Sequence, residues 1–367
     1  MGITSPLHEL HEEMGATFTE FAGFTMPVQF SSIKDEHLSV RKQVGIFDVS
    51  HMSNIWISGK DAAALLTKTT IEDASRFGLG KSQYTALTRE DGTIIDDTIF
   101  MHIDDRYMII PNAGMSDPVT DWLKKQIDHF SLDATVENVS RDYAIIAVQG
   151  PYSQQVLQET TDIDLSKVGF FACSPAKVAD KECIVSHTGY TGELGFELQV
   201  TPLENGVSIF KEIMKAGKNK GIKPIGLGAR DTIRLEKCFL LAGNEFEGGR
   251  TPLEANLSWA MNWDHDFIGK DALLKQKEEG DYQRLTCLQC TGKGIPRQGM
   301  LVEQDGTTIG VVSSGSMSPC LNTGIAMAYL DHDVVSIGDL VNIKIRNKFA
   351  EAEVVKPPFV KKDWSET

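Results

Sequence analysis

The apolar positions of this 367-residue chain change rhythm along its length. Leu7, Leu10 and Met14 recur at helical spacing after Ser5-Pro6, a capping residue followed by the one best suited to a first helical position, and Gly15 is placed to end that helix. A second short helix is predicted from Asp35 to Gln43, stopped near Gly45. Strand-like runs lie at 55–57, 99–101, 107–110 and 143–148, and helical patterns near 61–66, 118–127, 203–216 and 227–238, with Pro151 opening a further helix. Strands and helices mix without a strict βαβ alternation, which predicts an α+β body. Beyond about residue 280 short alternating segments dominate (285–288, 300–302, 309–312, 341–345), with turns at Asp305-Gly306 and Arg346-Asn347-Lys348. That texture predicts a small all-β domain, with 243–280 as the connecting stretch. Gly-Lys-Asp-Ala occurs at 59–62 and again at 269–272, each time leading into a helix, so Asp61 and Asp271 are expected as N-caps rather than as marks of a duplication.

A chain of this length is too long for one hydrophobic core, so two or three domains are expected. Its 36 basic and 51 acidic residues give a net charge of −15. Affinity for phosphate rests on clustered cations, so this balance argues against nucleic acid and anionic membrane as partners, though not against an anion held in a local basic pocket. No apolar stretch nears the roughly 20 residues that span a bilayer, and the N-terminus lacks a basic and then apolar leader. Six cysteines do not make a dense disulfide framework, and a reducing cytoplasm is expected, or a mitochondrial matrix if a transit peptide has been removed.

Several chemistries fail on spacing. Gly226-Leu227-Gly228 continues as Ala229-Arg230-Asp231, so the third glycine of a dinucleotide fingerprint is missing, and no phosphate loop exists. Cys287 and Cys290 form one C-x-x-C without a second pair, and three apart on a strand they point to opposite faces, which makes them packing residues. His8 and His11 lack a third ligand and are expected on a partly exposed helix face. No metal site and no covalent nucleophile is indicated.

Other stretches go further. Glu20-Phe21-Ala22-Gly23-Phe24-Thr25-Met26-Pro27-Val28 precedes Val40-Arg41 and Gly45-Ile46-Phe47-Asp48-Val49-Ser50-His51-Met52. Ile94-Ile95-Asp96-Asp97 follows, then Thr188-Gly189-Tyr190-Thr191-Gly192-Glu193-Leu194-Gly195-Phe196-Glu197, and Gly226-Leu227-Gly228-Ala229-Arg230-Asp231 running on to Arg234-Leu235-Glu236. In order and spacing these resemble the T-protein family of aminomethyltransferases, from about Pro6 to Phe359, with Phe267-Ile268-Gly269-Lys270 and Ser318-Pro319 in the later part. The resemblance implies a three-domain cloverleaf with a C-terminal β-barrel. Residues 1–50 and 140–242 would form a discontinuous folate-binding domain, 51–139 an inserted α+β domain, 243–280 the connector and 281–367 the barrel domain. It also implies tetrahydrofolate as cofactor, a lipoylated H-protein of the glycine cleavage system as partner, and transfer of the aminomethyl carbon with release of ammonia.

By the same resemblance Asp97 holds the catalytic position, while Tyr84, Asn112, Tyr190, Glu197, Arg230, Phe239 and Trp259 line the folate. A protected carboxylate suits the work of orienting an amine and taking its proton. Adjacent acids on a strand face opposite ways, so one of Asp96 and Asp97 can serve a given cavity. Read from the residues alone, the pair is also open to being solvated acids after a turn at Gly92. A Glu197 carboxylate would accept paired ring N–H bonds, or be a surface acid. Tyr190 would meet the ligand from a glycine-flanked turn, or pack on the core. Arg230 would fork onto the folate, or pair with Asp231 or Glu236. Phe359 is a weaker candidate for the cavity border.

The chain departs from its relatives at Phe170, Phe171 and Phe239, where several carry tyrosine, and at Leu241-Ala242-Gly243. The apolar wall is kept and some hydroxyls are lost. A second reading keeps folate but takes a small methylated sulfonium or amine as donor, making the chain a demethylase. A third, a non-catalytic folate-binding assembly factor, needs a Lys-Gly-Cys signature, and Lys237-Cys238-Phe239 lacks its glycine.

Overall fold

The computed structural model describes residues 2–246 and 248–361; Met1 and the stretch 362–367 of the expected last domain lie outside them. The chain forms two compact units, one of residues 2–87 with Asp96–Arg230, the other of Thr88–Ile95 with 231–361.

In the first unit β1 (Ile3–Thr4) precedes α1 (His8–Glu13), and the hairpin β2 (Thr17–Phe21) and β3 (Phe24–Gln29) takes β1 parallel on β3. Next come α2 (Ile33–Lys42) and β4 (Gly45–Asp48). The chain then builds a five-stranded sheet from β5 (Ile55–Ser58), β6 (Ser82–Thr88), β7 (Ile94–Ile103), β8 (Arg106–Ile109) and β9 (Thr135–Asn138), in the order β6-β7-β8-β5-β9, with α3 (Ala62–Thr69) and α4 (Ser116–Phe130) between strands. It returns through β10 (Ala144–Gln149), α5 (Ser153–Gln158), β11 (Cys173–Val178), β12 (Lys181–Ser186), β13 (Gly195–Val200), α6 (Asn205–Ala216) and β14 (Lys223–Ile225). These strands join β4 in a six-stranded sheet ordered β11-β12-β13-β10-β4-β14. Ile46, Ile146, Val148, Phe196 and Leu198 from that sheet bury against Leu7 and Leu10 of the first helical segment and Ile209, Phe210 and Ile213 of α6. The apolar faces read from the sequence are what the packing uses.

After α7 (Leu227–Glu236), α8 (Ala242–Glu245) and α9 (Lys270–Glu279), the second unit ends in a closed barrel. Its strands are β15 (Arg284–Cys290), β16 (Leu301–Gln304), β17 (Thr307–Ser318), β18 (Thr323–Leu330), β19 (Leu340–Ile345) and β20 (Lys348–Val355). β15 pairs with both β18 and β20, which closes the sheet and leaves no free edge. Leu288, Val302, Val312, Ala328 and Ile343 fill it. The α+β class and the all-β C-terminal domain expected from the sequence are both observed.

Local expectations fail where a polar group has a distant partner. Ser5 does not cap α1, which starts at His8: its hydroxyl donates to Asp48 and its oxygen accepts from the Leu7 amide at 3.0 Å. His11, expected near the surface, is buried with Nε2 2.9 Å from Asp48 Oδ2. α2 begins two residues before Asp35, because the Ser32 hydroxyl accepts from the Asp35 amide. Asp61 holds the N-cap position of α3 as expected, but its side chain makes no capping bond and accepts instead from the Asp133 amide across the fold; Asp271 lies inside α9, whose N-cap is Gly269. The glycine is what both repeats need. Gly59 and Gly269 have φ of 102° and 92°, and a Cβ there would meet the carbonyl oxygens of Asp133 and Arg89 at 2.5 and 2.4 Å. Cys287 and Cys290 are both buried, Cys290 in the barrel core and Cys287 against Cys238 with sulfurs 3.2 Å apart.

Arg234, almost wholly buried, donates to Glu245 Oε2 at 3.1 Å, to Ser314 Oγ at 2.9 Å and to the Phe239 carbonyl at 3.1 Å. Replacing it with methionine leaves the Glu245 charge buried without its cation, a loss of about 3–5 kcal/mol. Urea unfolding of Arg234→Met should show that drop in the second unit's transition; an unchanged midpoint would mean that other donors satisfy Glu245.

Candidate active site

Strand β7 runs Ile94-Ile95-Asp96-Asp97, and its alternation buries Asp96 completely while Asp97 stays half-buried. The hairpin register pairs Phe100 with Ile109. Carried three residues further, it sets Asn112 opposite Asp97. There the Asn112 Nδ2 group donates to Asp97 Oδ1 at 2.6 Å, to the Asp97 carbonyl at 3.1 Å and to Asp96 Oδ1 at 2.8 Å, while its backbone amide donates to Asp96 Oδ2 at 2.8 Å. With carboxylates on both sides, the nitrogen end of that amide must face them. Tyr84, on β6, donates its hydroxyl to Asp97 Oδ2 at 2.8 Å.

Two carboxyls sharing one amide cannot both be charged cheaply. Burial, and then the neighbouring Asp97 charge, push the Asp96 carboxyl up to about 8, against the bonds from Asn112. Asp96 therefore keeps a proton at neutral pH, and Asp97 is the ionised partner. Burial and the Asp97 charge also raise the Tyr84 phenol well above its ordinary value, so it remains a donor.

A second cluster forms on β13 and α7. Glu197 lies opposite Ala147 and Ser186 in the six-stranded sheet. Its Oε2 accepts from the Thr188 hydroxyl at 2.5 Å, and Thr188 in turn lies 2.8 Å from the Ser186 hydroxyl. Arg230 stands over the Tyr190 ring, 4.6 Å from its centroid. Burial lowers the guanidinium pKa, opposed by Tyr190 and Glu197. Close backbone approach sets where Arg230 stands. A Cβ on Gly226 would lie 2.3 Å from the Val28 carbonyl oxygen, and one on Gly228 2.7 Å from Ile33. The buried Glu36 then ties the segment down, accepting from the Gly226 amide at 2.8 Å and from the Phe30 and Ser31 amides at 2.7 and 2.8 Å. Gly-Leu-Gly-Ala thus serves packing, not phosphate.

Tyr84 joins the two clusters, since its phenol feels Tyr190 as well as Asp97 and Asp96. Of the residues expected from the sequence, Asp97, Tyr84 and Asn112 come together by hydrogen bonds, and Tyr190 and Arg230 by stacking, with Glu197 within electrostatic reach. Phe239 and Trp259 belong to the second unit. Phe239 is half-buried, and Trp259 is 70% exposed. Phe170 is exposed and edge-on to Phe171.

Several residues at or behind this site were given no role by sequence reasoning. Asp96 was set aside as the acid facing away, yet it shares Asn112 with Asp97. His51 is buried; burial first, then the Arg230 charge, hold its imidazole down to about 3, against Asp48, so it is neutral beside the guanidinium. Arg41, of the Val-Arg pair, donates to the Thr191 carbonyl at 2.7 Å and pairs with Glu193 at 3.0 Å. The signal for His51 and Arg41 was their presence in the quoted stretches. Gln149 gave none.

Residues 7–265 match the GCVT N-terminal domain family, and residues 283–361 match the glycine cleavage T-protein C-terminal barrel domain family. An aminomethyltransferase of Thermosipho melanesiensis is 42% identical over 356 residues, 97% of this chain and 96% of the relative. One of Halothermothrix orenii is 41% identical over 358 residues, 97% and 99% of the two chains. The crystal structure of glycine cleavage system aminomethyltransferase T from Bartonella henselae superposes with a TM-score of 0.90 at 30% identity, over 97% of this chain and 98% of the other. With these matches over the α+β body and the closed barrel, the chain is a transferase of the aminomethyltransferase class. The chain belongs to the glycine cleavage T-protein family.

The shared proton has a spectroscopic consequence. Infrared spectra at neutral pH should contain the carbonyl band of a protonated carboxylic acid that titrates away around pH 8 and is missing from Asp96→Asn. A band that survives in that variant would assign the proton elsewhere.

Proposed function

We propose that this aminomethyltransferase uses tetrahydrofolate as carbon acceptor and a lipoylated H-protein as donor, with Asp97 as its catalytic residue. The observation that carries this reading is a carboxylate held ionised between the Tyr84 hydroxyl and the Asn112 amide, within electrostatic reach of the Tyr190–Arg230–Glu197 cluster. The donor set fits a reduced pterin: Glu197 is an acceptor for the paired N–H groups of such a ring, and Tyr190 offers a flat apolar face with a polar tip. Tetrahydrofolate, when bound, supplies the amine nitrogens that take the carbon as a methylene bridge.

The remaining chemistry belongs to the chain. Asp97 orients the attacking amine, accepts its proton and steadies positive charge at the carbon being transferred. Tyr84 and Asn112 fix the two carboxylate oxygens so that no reorganisation is needed at that moment. Asp96, by keeping its proton, holds Asn112 in place without adding a second charge beside Asp97. Arg230 steadies Tyr190 and balances Glu197. Phe239 and Trp259 enter the proposal by the family resemblance alone. In domain terms, 1–50 with 140–242 is assigned to folate binding, 51–139 to the inserted lobe and 281–367 to the barrel.

Among the described residues no helix is long and apolar enough to cross a membrane. Six unbridged cysteines suit a reducing compartment, and the cytoplasm is the proposed one.

Turnover tests the reading directly. The purified chain, given tetrahydrofolate and aminomethylated lipoyl H-protein, should release ammonia and form methylene-tetrahydrofolate. Asp97→Asn should lose about 10²–10⁴-fold in kcat. Full activity in that variant removes Asp97 from the mechanism, and activity restricted to a small methylated donor makes the chain a demethylase.

A further inference from the structure

The segment that carries Tyr190 closes around one side chain. Gln149, the last residue of β10, is 1% exposed. Its Nε2 donates to the carbonyls of Thr188 at 3.1 Å and Phe196 at 3.3 Å, and its Oε1 accepts from the Thr191 hydroxyl at 2.7 Å. The amide thus ties both ends and the middle of the stretch 188–196. A Cβ on Gly189 would lie 2.1 Å from Gln149 Oε1, and one on Gly195 2.4 Å from its Cδ. Those two glycines leave the space the amide fills. Another side of the loop is gripped by Arg41, through the Thr191 carbonyl and Glu193.

We propose that Gln149 is a positioning residue for the pterin site: it sets the loop so that Tyr190, and Glu197 through the Thr188 hydroxyl, stand in binding geometry. This rests on the tetrahydrofolate reading above. The donating end of the amide is what matters, because its partners are carbonyl oxygens. Glutamate at this position keeps the shape, loses both donations and sets acceptor against acceptor. The glycines and the glutamine are one device, so damage to either should not add to damage to the other.

Calorimetric titration of the full chain with tetrahydrofolate, beside thermal unfolding of each variant, tests this. Gln149→Glu should weaken binding by at least about tenfold. Adding it to Glu197→Gln should cost less than the two single losses combined. Gly195→Ala should bind poorly by itself and no worse in the Gln149→Ala background, where the amide it would displace is already gone; this comparison serves even if Gln149→Glu folds badly. Normal binding in Gln149→Glu, additive losses with Glu197→Gln, or a lowered unfolding temperature with unweakened binding would each overturn the inference. A wild type that binds no tetrahydrofolate overturns the cofactor assignment, and this inference with it. One that binds, weakened by Glu197→Gln but not by Gln149→Glu, overturns this inference alone.

Discussion

The Asp97 carboxylate, held between a phenol and an amide in a largely buried site, is the interaction the first unit is arranged around. A carboxylate taken from water must find donors or take up a proton. Here both answers occur side by side. Strand alternation sends Asp96 inward, where it keeps its proton, and leaves Asp97 ionised towards Tyr84. The register of β7 against β8 brings one asparagine within reach of both. A slip of one residue in that register would face Asp96 and Asp97 the wrong way round.

The other half of the site is built by close approach. Gly226 and Gly228 let the start of α7 press on Val28, so that Arg230 projects over Tyr190. Gly189 and Gly195 let their loop wrap the Gln149 amide. Missing side chains at four positions place the charged and aromatic ones elsewhere. The hydrogen bonds then lock what the glycines allow: Glu36 on the Gly226 amide, and Arg41 and Gln149 on either side of Thr191.

The same economy runs through the buried ionic groups. Burial opposes ionisation of Asp48, yet bonds from His11, Ser5 and Ser50 hold it below the usual carboxylate range, and it ties the chain's start to the end of β4. His51, three residues on, stays neutral beside Arg230. Arg234 and Glu245 play the corresponding part in the second unit. Asp48 draws in Ser5 and His11 and Arg234 draws in Ser314 from segments distant in the chain, which is how polar atoms in a core specify one packing among many.

Periodicity was enough to read the α+β class, the approximate extent of most elements and the turns of the barrel, because helix and strand patterns are local and repeat every few residues. The quoted motifs were enough to read the family, and they held most of the site. What they did not contain is who meets whom. Ser5 looked like a cap and His11 like a surface residue until Asp48, some forty positions away, took both. Asp61 sits at its cap position without a capping bond and Asp271 lies inside its helix, while the glycines of the repeat meet distant carbonyls. The resemblance pointed to Asp97, but only the structure showed that the buried Asp96 shares its asparagine, and Gln149 had no pattern at all. Strand pairing and backbone approach bring such partners together across tens to hundreds of residues, and no short window of sequence records those distances. Tertiary structure decided them.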